Sequence, residues 1–70
     1  MEIIIEEILN LIRKKMEENG SYTKEAYKQF IDESIDYFIE RGKLIDDDNL
    51  EFIETRLIEK WKDIQKEIAK

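Results

Sequence analysis

The amino-acid sequence predicts an all-α fold, an antiparallel up-down-up three-helix bundle formed by a single domain of residues 1–70. Apolar residues recur every three or four positions, which is the spacing that places side chains on one face of an α-helix. The only two glycines each follow such a segment, and there is no proline. Three helices joined by short connections favour antiparallel neighbours. The expected bounds are about 2–19, 24–41 and 48–69.

The first helix is predicted from one broad apolar face with charged residues opposite it. Its apolar residues are Ile4, Ile5, Ile8, Leu9, Leu11, Ile12 and Met16. Asn19-Gly20 is the expected end, because glycine readily adopts the left-handed conformation that closes a helix. Ser21 and Thr23 then follow as candidate N-caps for the next helix.

The second helix carries a mixed aromatic and aliphatic face. Its predicted buried residues are Ala26, Tyr27, Phe30, Ile31, Tyr37 and Phe38. Ser34 lies in the middle of this face, where a small residue allows a neighbouring helix to approach closely. Gly42 is the second expected stop signal. The three tyrosines of the chain are expected to bury their rings and keep their hydroxyl groups in water.

The third helix is predicted from a run of apolar residues close to a heptad repeat. This run consists of Leu50, Ile53, Leu57, Trp61, Ile64 and Ile68. An aromatic residue among aliphatic residues at helical spacing is more often part of the core than a stacking platform for a ligand. Trp61 is therefore predicted to be a core residue.

Three consecutive aspartates, Asp46–Asp48, raise the question of a metal site just before the third helix. A calcium loop beginning at the first aspartate would need an oxygen ligand, a glycine and a glutamate at its fifth, sixth and twelfth positions. Those positions hold Leu50, Glu51 and Leu57. The favoured interpretation is a capping box, in which Asp48 is the N-cap and Glu51 follows three residues later. No metal ligand is predicted.

Composition disfavours several classes of function. The chain has no histidine and no cysteine, which removes the usual zinc ligands and the usual partners of a catalytic nucleophile. Its net charge of −6 repels a phosphate backbone, so nucleic-acid binding is disfavoured. The longest apolar run is far shorter than the ~20 residues that span a bilayer. The first residues lack a basic leader, and no secretion signal is predicted.

Two features of the second helix are candidates for an interaction surface. Asp32, Asp36 and Glu40 are spaced four apart in an acidic row that could dock a basic partner, although an ordinary solvated face of an acidic protein is the favoured interpretation. Ile35 and Ile39 widen the apolar face beyond what two neighbouring helices easily cover. They are predicted to fill a groove beside another helix, and the alternative is an exposed patch that pairs with a partner or a second copy.

The resulting functional prediction is a soluble, cofactor-free protein without catalytic activity, a designed or redesigned scaffold that uses glycine stops and capping residues. The alternative is a natural small acidic interaction module acting through helix 2, which would be cytoplasmic. No nucleic acid, membrane or specific partner is predicted. A basic protein partner and weak self-association remain open alternatives.

Overall fold

The computed structural model of the chain describes residues 2–44 and 50–68. These two ranges contain no strand and form four α-helices: α1 (Glu2–Asn19), α2 (Lys24–Glu40), α3 (Leu50–Glu59) and α4 (Trp61–Ile68). The predicted all-α class is confirmed. The bounds of α1 and α2 agree with the first two predicted helices, whereas the third predicted helix is divided in two at Lys60.

The glycine after α1 ends that helix by the predicted mechanism. Gly20 adopts a φ of 62°, which places it in the left-handed region. Its N–H group donates to the carbonyl of Glu17 at 3.4 Å, and the N–H group of Ser21 donates to the carbonyl of Met16 at 3.1 Å. This pair of bonds is the Schellman motif, which satisfies carbonyl groups that a helix end leaves without partners.

The same motif ends α2. Gly42 has a φ of 75° and donates to the carbonyl of Ile39 at 3.0 Å, while Lys43 donates to the carbonyl of Phe38 at 2.9 Å. The start of α2 is capped by Thr23, whose Oγ1 accepts a hydrogen bond from the Ala26 N–H at 3.1 Å. Both ends of α2 are therefore fixed by local hydrogen bonds of the kind the sequence predicts.

One hydrophobic core joins all four helices. Its buried residues are Ile5, Ile8, Leu9, Ile12, Met16, Tyr27, Phe30, Ile31, Ile35, Phe38, Leu44, Ile53, Leu57, Trp61 and Ile64. The most extensive packing lies between α1 and α2, while α3 contacts both of them. Ser34 is completely buried in α2, and its hydroxyl has no hydrogen-bond partner among the described residues. Its small size thus serves packing, as predicted.

The ring of Tyr27 connects α2 to the third helical segment, which consists of α3 and α4 together with Lys60 between them. It stacks at a tilt on the indole of Trp61, with 4.9 Å between the ring centroids. Its hydroxyl donates a hydrogen bond of 2.5 Å to the carbonyl of Leu57. The prediction that its hydroxyl stays in water is therefore wrong, because the bond to Leu57 satisfies the hydroxyl inside the core. Trp61 is buried, as predicted.

Tyr37 also differs from the prediction, because it is 42% exposed rather than buried. Ser34, Ile35 and Phe38 occupy the buried positions of this part of α2. The Tyr37 ring instead lies beneath the guanidinium group of Arg41, which is 4.9 Å from the ring centroid. A cation over an aromatic face stabilises such an exposed ring modestly.

The break between α3 and α4 is a tight turn at Lys60. The Lys60 N–H is shared between the carbonyls of Arg56 and Leu57, each at 3.2 Å. Its carbonyl accepts from Asp63 at 3.0 Å, a bond that closes a 3₁₀ turn. Shared bonds of this kind are common at helix ends. The Lys60 ammonium group lies 3.6 Å from the carboxylate of Glu6 on α1.

Replacing Trp61 with alanine should unfold most molecules. Truncating a buried tryptophan costs ~3–5 kcal/mol, which is about the whole stability expected of one small core. Urea titration followed by circular dichroism measures the loss. Tyr37→Ala removes an exposed aromatic ring and serves as the control that should stay folded. A Trp61→Ala variant with near-wild-type stability would contradict the burial of the indole.

Tyr27 should make stability fall in alkaline solution. Burial raises its pKa to about 12, with Arg13 opposing the shift and Asp63 adding to it. The unfolded chain loses this phenolic proton near the ordinary pKa of about 10. Between pH 10 and pH 12, ionisation therefore stabilises the unfolded state relative to the folded state, and the free energy of unfolding falls as pH rises.

Tyr27→Phe should cost about 1 kcal/mol at pH 7, because the Leu57 carbonyl keeps its bond from Lys60. The advantage of the wild type over the variant in unfolding free energy should fall from pH 10 toward pH 12 and change sign, because two pKa units are worth more than about 1 kcal/mol. Urea titrations across that range measure the difference, and a constant value would contradict a buried, neutral phenol.

Candidate functional site

The acidic row predicted on the second helix lies on the exposed face of α2. Asp32, Asp36 and Glu40 each have exposed side chains. Residues four apart on an α-helix are neighbours on its surface, and like charges at that spacing repel each other by a few tenths of a kcal/mol. The row therefore concentrates negative charge along one side of the helix.

The neighbouring acid, Glu33, has a different environment. One carboxylate oxygen lies 3.4 Å from the ammonium group of Lys15 on α1, and the other accepts a hydrogen bond from Gln29 at 3.1 Å. By contrast, the described residues provide no ion pair for Asp32, Asp36 or Glu40. These three carboxylates are available to solvent or to a cationic partner.

The two isoleucines of the predicted surface lie elsewhere. Ile35 is only 4% exposed and belongs to the core, and Ile39 is partly buried against the same core. The structure thus follows the first of the two alternatives, in which the wide apolar arc of α2 fills space between helices. Ile35 contributes nothing to an exposed surface, so the acidic row is separate from these apolar residues.

The aspartate run, Asp46–Asp48, and its expected capping role lie outside the described residues. Within the part of the chain that the structure describes, no group of three or more acidic side chains is placed to hold a metal ion. Nor does any described helix combine the length and the apolar character needed to cross a membrane.

A cleft of about 430 Å³ opens where α1, the loop before α2, and α4 meet. Its lining residues are Arg13, Met16, Glu17, Tyr22, Ile64 and Glu67. The floor consists of core residues, because Met16 and Ile64 are each only 2% exposed. The walls carry two carboxylates, one guanidinium group and the half-exposed ring of Tyr22.

An ion pair across the cleft connects α1 to α4. Arg13 Nη2 donates to Glu67 Oε1 at 3.0 Å, and Arg13 Nε donates to Glu67 Oε2 at 3.2 Å. The remaining fork nitrogen, Nη1, donates to the side-chain oxygen of Asn10 at 3.2 Å. Such a two-point contact fixes the plane of the guanidinium group as well as its position.

Sequence patterning did not predict this cleft. Its two sides come from residues about fifty positions apart, and the charged residues of its walls are typical of an ordinary helix surface. The one local signal was Tyr22, an aromatic residue in a connection that otherwise serves to end one helix and cap the next.

Comparison with protein-family models, with curated proteins and with solved structures found no match to this chain.

Introducing a charge at the two isoleucines of α2 should give different results. Ile35→Glu places a carboxylate in the core and should unfold the protein, since burying an unpaired charge is strongly unfavourable. Ile39→Glu can turn its carboxylate toward water and should cost only ~1–2 kcal/mol of lost burial.

Thermal melts of these two variants test the assignment, with Ile3→Glu as the control at a residue that is 76% exposed. The control should keep the wild-type melting temperature. If Ile35→Glu instead remained folded and lost only self-association, Ile35 would belong to an exposed patch.

Proposed function

We propose that this chain is a non-catalytic, cofactor-free helical scaffold. The observation that carries the proposal is the use of Thr23, Tyr27 and Trp61 within the fold. Thr23 caps α2, the Tyr27 hydroxyl donates to the Leu57 carbonyl, and the Trp61 indole packs on the Tyr27 ring. Side chains used in this way stabilise the protein, and no hydrogen bond among residues 2–44 and 50–68 joins a nucleophile to a base, as acyl-transfer chemistry requires.

The proposed scaffold has the up-down-up arrangement. Two ion pairs join α1 to the third helical segment, Glu6 with Lys60 and Arg13 with Glu67. The partners advance by equal steps along both segments, which supports a parallel course for them. Since residues 20–23 form only a short connection, α2 then runs back between the two parallel segments, as short loops favour.

Several features of the chain support a designed origin for this scaffold. Gly20 and Gly42 end α1 and α2 with the same hydrogen-bond motif, and Thr23 caps the start of α2. Deliberate use of glycine stops and N-caps is a standard means of specifying helix ends in designed proteins.

A chemically synthesised chain tests this proposal directly, because it is made without exposure to cellular components or cofactors. We expect it to fold in plain buffer with the melting temperature of the expressed protein and to sediment as a monomer. The matched control is expressed protein that has been denatured, desalted and refolded. A lower melting temperature in both samples, restored by the small-molecule fraction of a cell extract, would contradict a cofactor-free scaffold.

A second candidate function is docking of a basic protein on the acidic row of α2. The observation that favours it is the exposure of Asp32, Asp36 and Glu40 without ion-pair partners among the described residues, next to a Glu33 that has one. Charge complementarity of this kind steers association and makes it sensitive to salt.

Charge reversal in the row distinguishes the two candidates. Asp36→Lys should leave stability equal or raise it by a few tenths of a kcal/mol, because it replaces repulsion by attraction toward Asp32 and Glu40. Glu7→Lys is the matched control, since it changes net charge equally on an exposed face of α1. Both variants are titrated with a lysine-rich peptide at low and moderate salt.

A scaffold should bind this peptide weakly, and both variants should weaken the binding by the same factor. A docking surface on α2 would instead be disrupted by Asp36→Lys much more than by Glu7→Lys. That second result would replace the scaffold proposal with the interaction module.

A further inference from the structure

The cleft between α1 and α4 has the dimensions of a small-molecule site. Its volume of about 430 Å³ falls within the ~300–1,000 Å³ typical of ligand pockets. Its floor is closed by the core residues Met16 and Ile64, so a ligand would rest on the surface of the core without displacing it. Tyr22, which is 45% exposed, is the aromatic residue of the lining.

The charges around the cleft favour a ligand with a positive charge. The lining contains one guanidinium group, that of Arg13, and two carboxylates, those of Glu17 and Glu67. Arg13 Nη2 and Nε each donate a hydrogen bond to Glu67, at 3.0 and 3.2 Å, so the positive charge of Arg13 is already paired with the carboxylate of Glu67. Glu17 forms no ion pair with any described residue, which leaves the lining one net negative charge.

The Tyr22 ring adds a second preference for a cation. The face of an aromatic ring carries negative electrostatic potential, and it attracts an ammonium group within about 6 Å of its centre. The same ring offers a flat apolar surface on which an aryl group can stack. A carboxylate and an aromatic wall over an apolar floor are complementary to a molecule with one ammonium group and one ring.

We propose that this cleft binds small arylalkyl ammonium ions, with the ammonium group at Glu17 and the aryl group between the Tyr22 ring and the core floor. This binding site goes beyond the scaffold function, and binding there involves no chemical reaction. It is also separate from the acidic row of α2, because none of the three residues of that row lines this cleft.

A methionine methyl group gives a specific probe of this cleft. The chain has two methionines, and one of them, Met16, lines the cleft. With ¹³C-labelled methionine methyl groups, 2-phenylethylammonium titrated through the millimolar range should shift the Met16 resonance saturably. The neutral isostere 2-phenylethanol and the anion phenylacetate should give much weaker binding.

Matched variants test the roles of the two walls. Glu17→Gln should weaken binding about three- to fivefold, the range expected for one exposed ion pair. Glu18→Gln is the control, because it removes the same charge from the adjacent exposed position outside the lining, and it should leave the affinity unchanged. Tyr22→Leu keeps an apolar side chain and should weaken binding about two- to fivefold through loss of the ring face.

Circular dichroism of each variant verifies that it is folded, which these exposed positions should allow. Absence of a saturable Met16 shift would overturn the proposal. So would equal affinity for 2-phenylethanol, or a loss in Glu18→Gln as large as that in Glu17→Gln, because either result would mean that Glu17 does not recognise the cation.

Discussion

The contact of Tyr27 with Trp61 and Leu57 is the interaction on which the rest of the structure depends. It joins residues about thirty positions apart, at the place where α2 meets the break between α3 and α4. The hydrophobic core that it helps to close includes Ile5 and Ile8, both of which are completely buried. The phenol satisfies its own polar group within the same contact, so the core closes without an unpaired hydroxyl at this point.

Those parts of the fold that depend on local interactions could be predicted from the sequence. The ends of α1 and α2 follow from Gly20, Gly42 and Thr23, because left-handed glycines and side-chain caps act within a few residues. The buried face of α1 follows equally well from its spacing. Trp61 was assigned to the core by the same reasoning, since its neighbours at helical spacing are aliphatic.

The remaining features depend on contacts between distant segments. The break at Lys60 left no trace in the apolar pattern, because Leu57 and Trp61 stay in the core on either side of it. The burial of the Tyr27 hydroxyl required a carbonyl partner that no local pattern reveals. The cleft at Arg13 exists only because α4 packs beside α1. For Ile35, spacing alone left core and surface patch as alternatives, and packing decided between them.

The central claim is that the Tyr27 and Trp61 side chains hold the fold together and are not available as a site. Nuclear Overhauser contacts between the Tyr27 ring and the Trp61 indole in solution test it most directly, because the ring centroids lie only 4.9 Å apart. We expect strong contacts, together with slow exchange of the phenolic proton. Absence of these contacts in a folded sample, with the indole open to solvent, would contradict the claim.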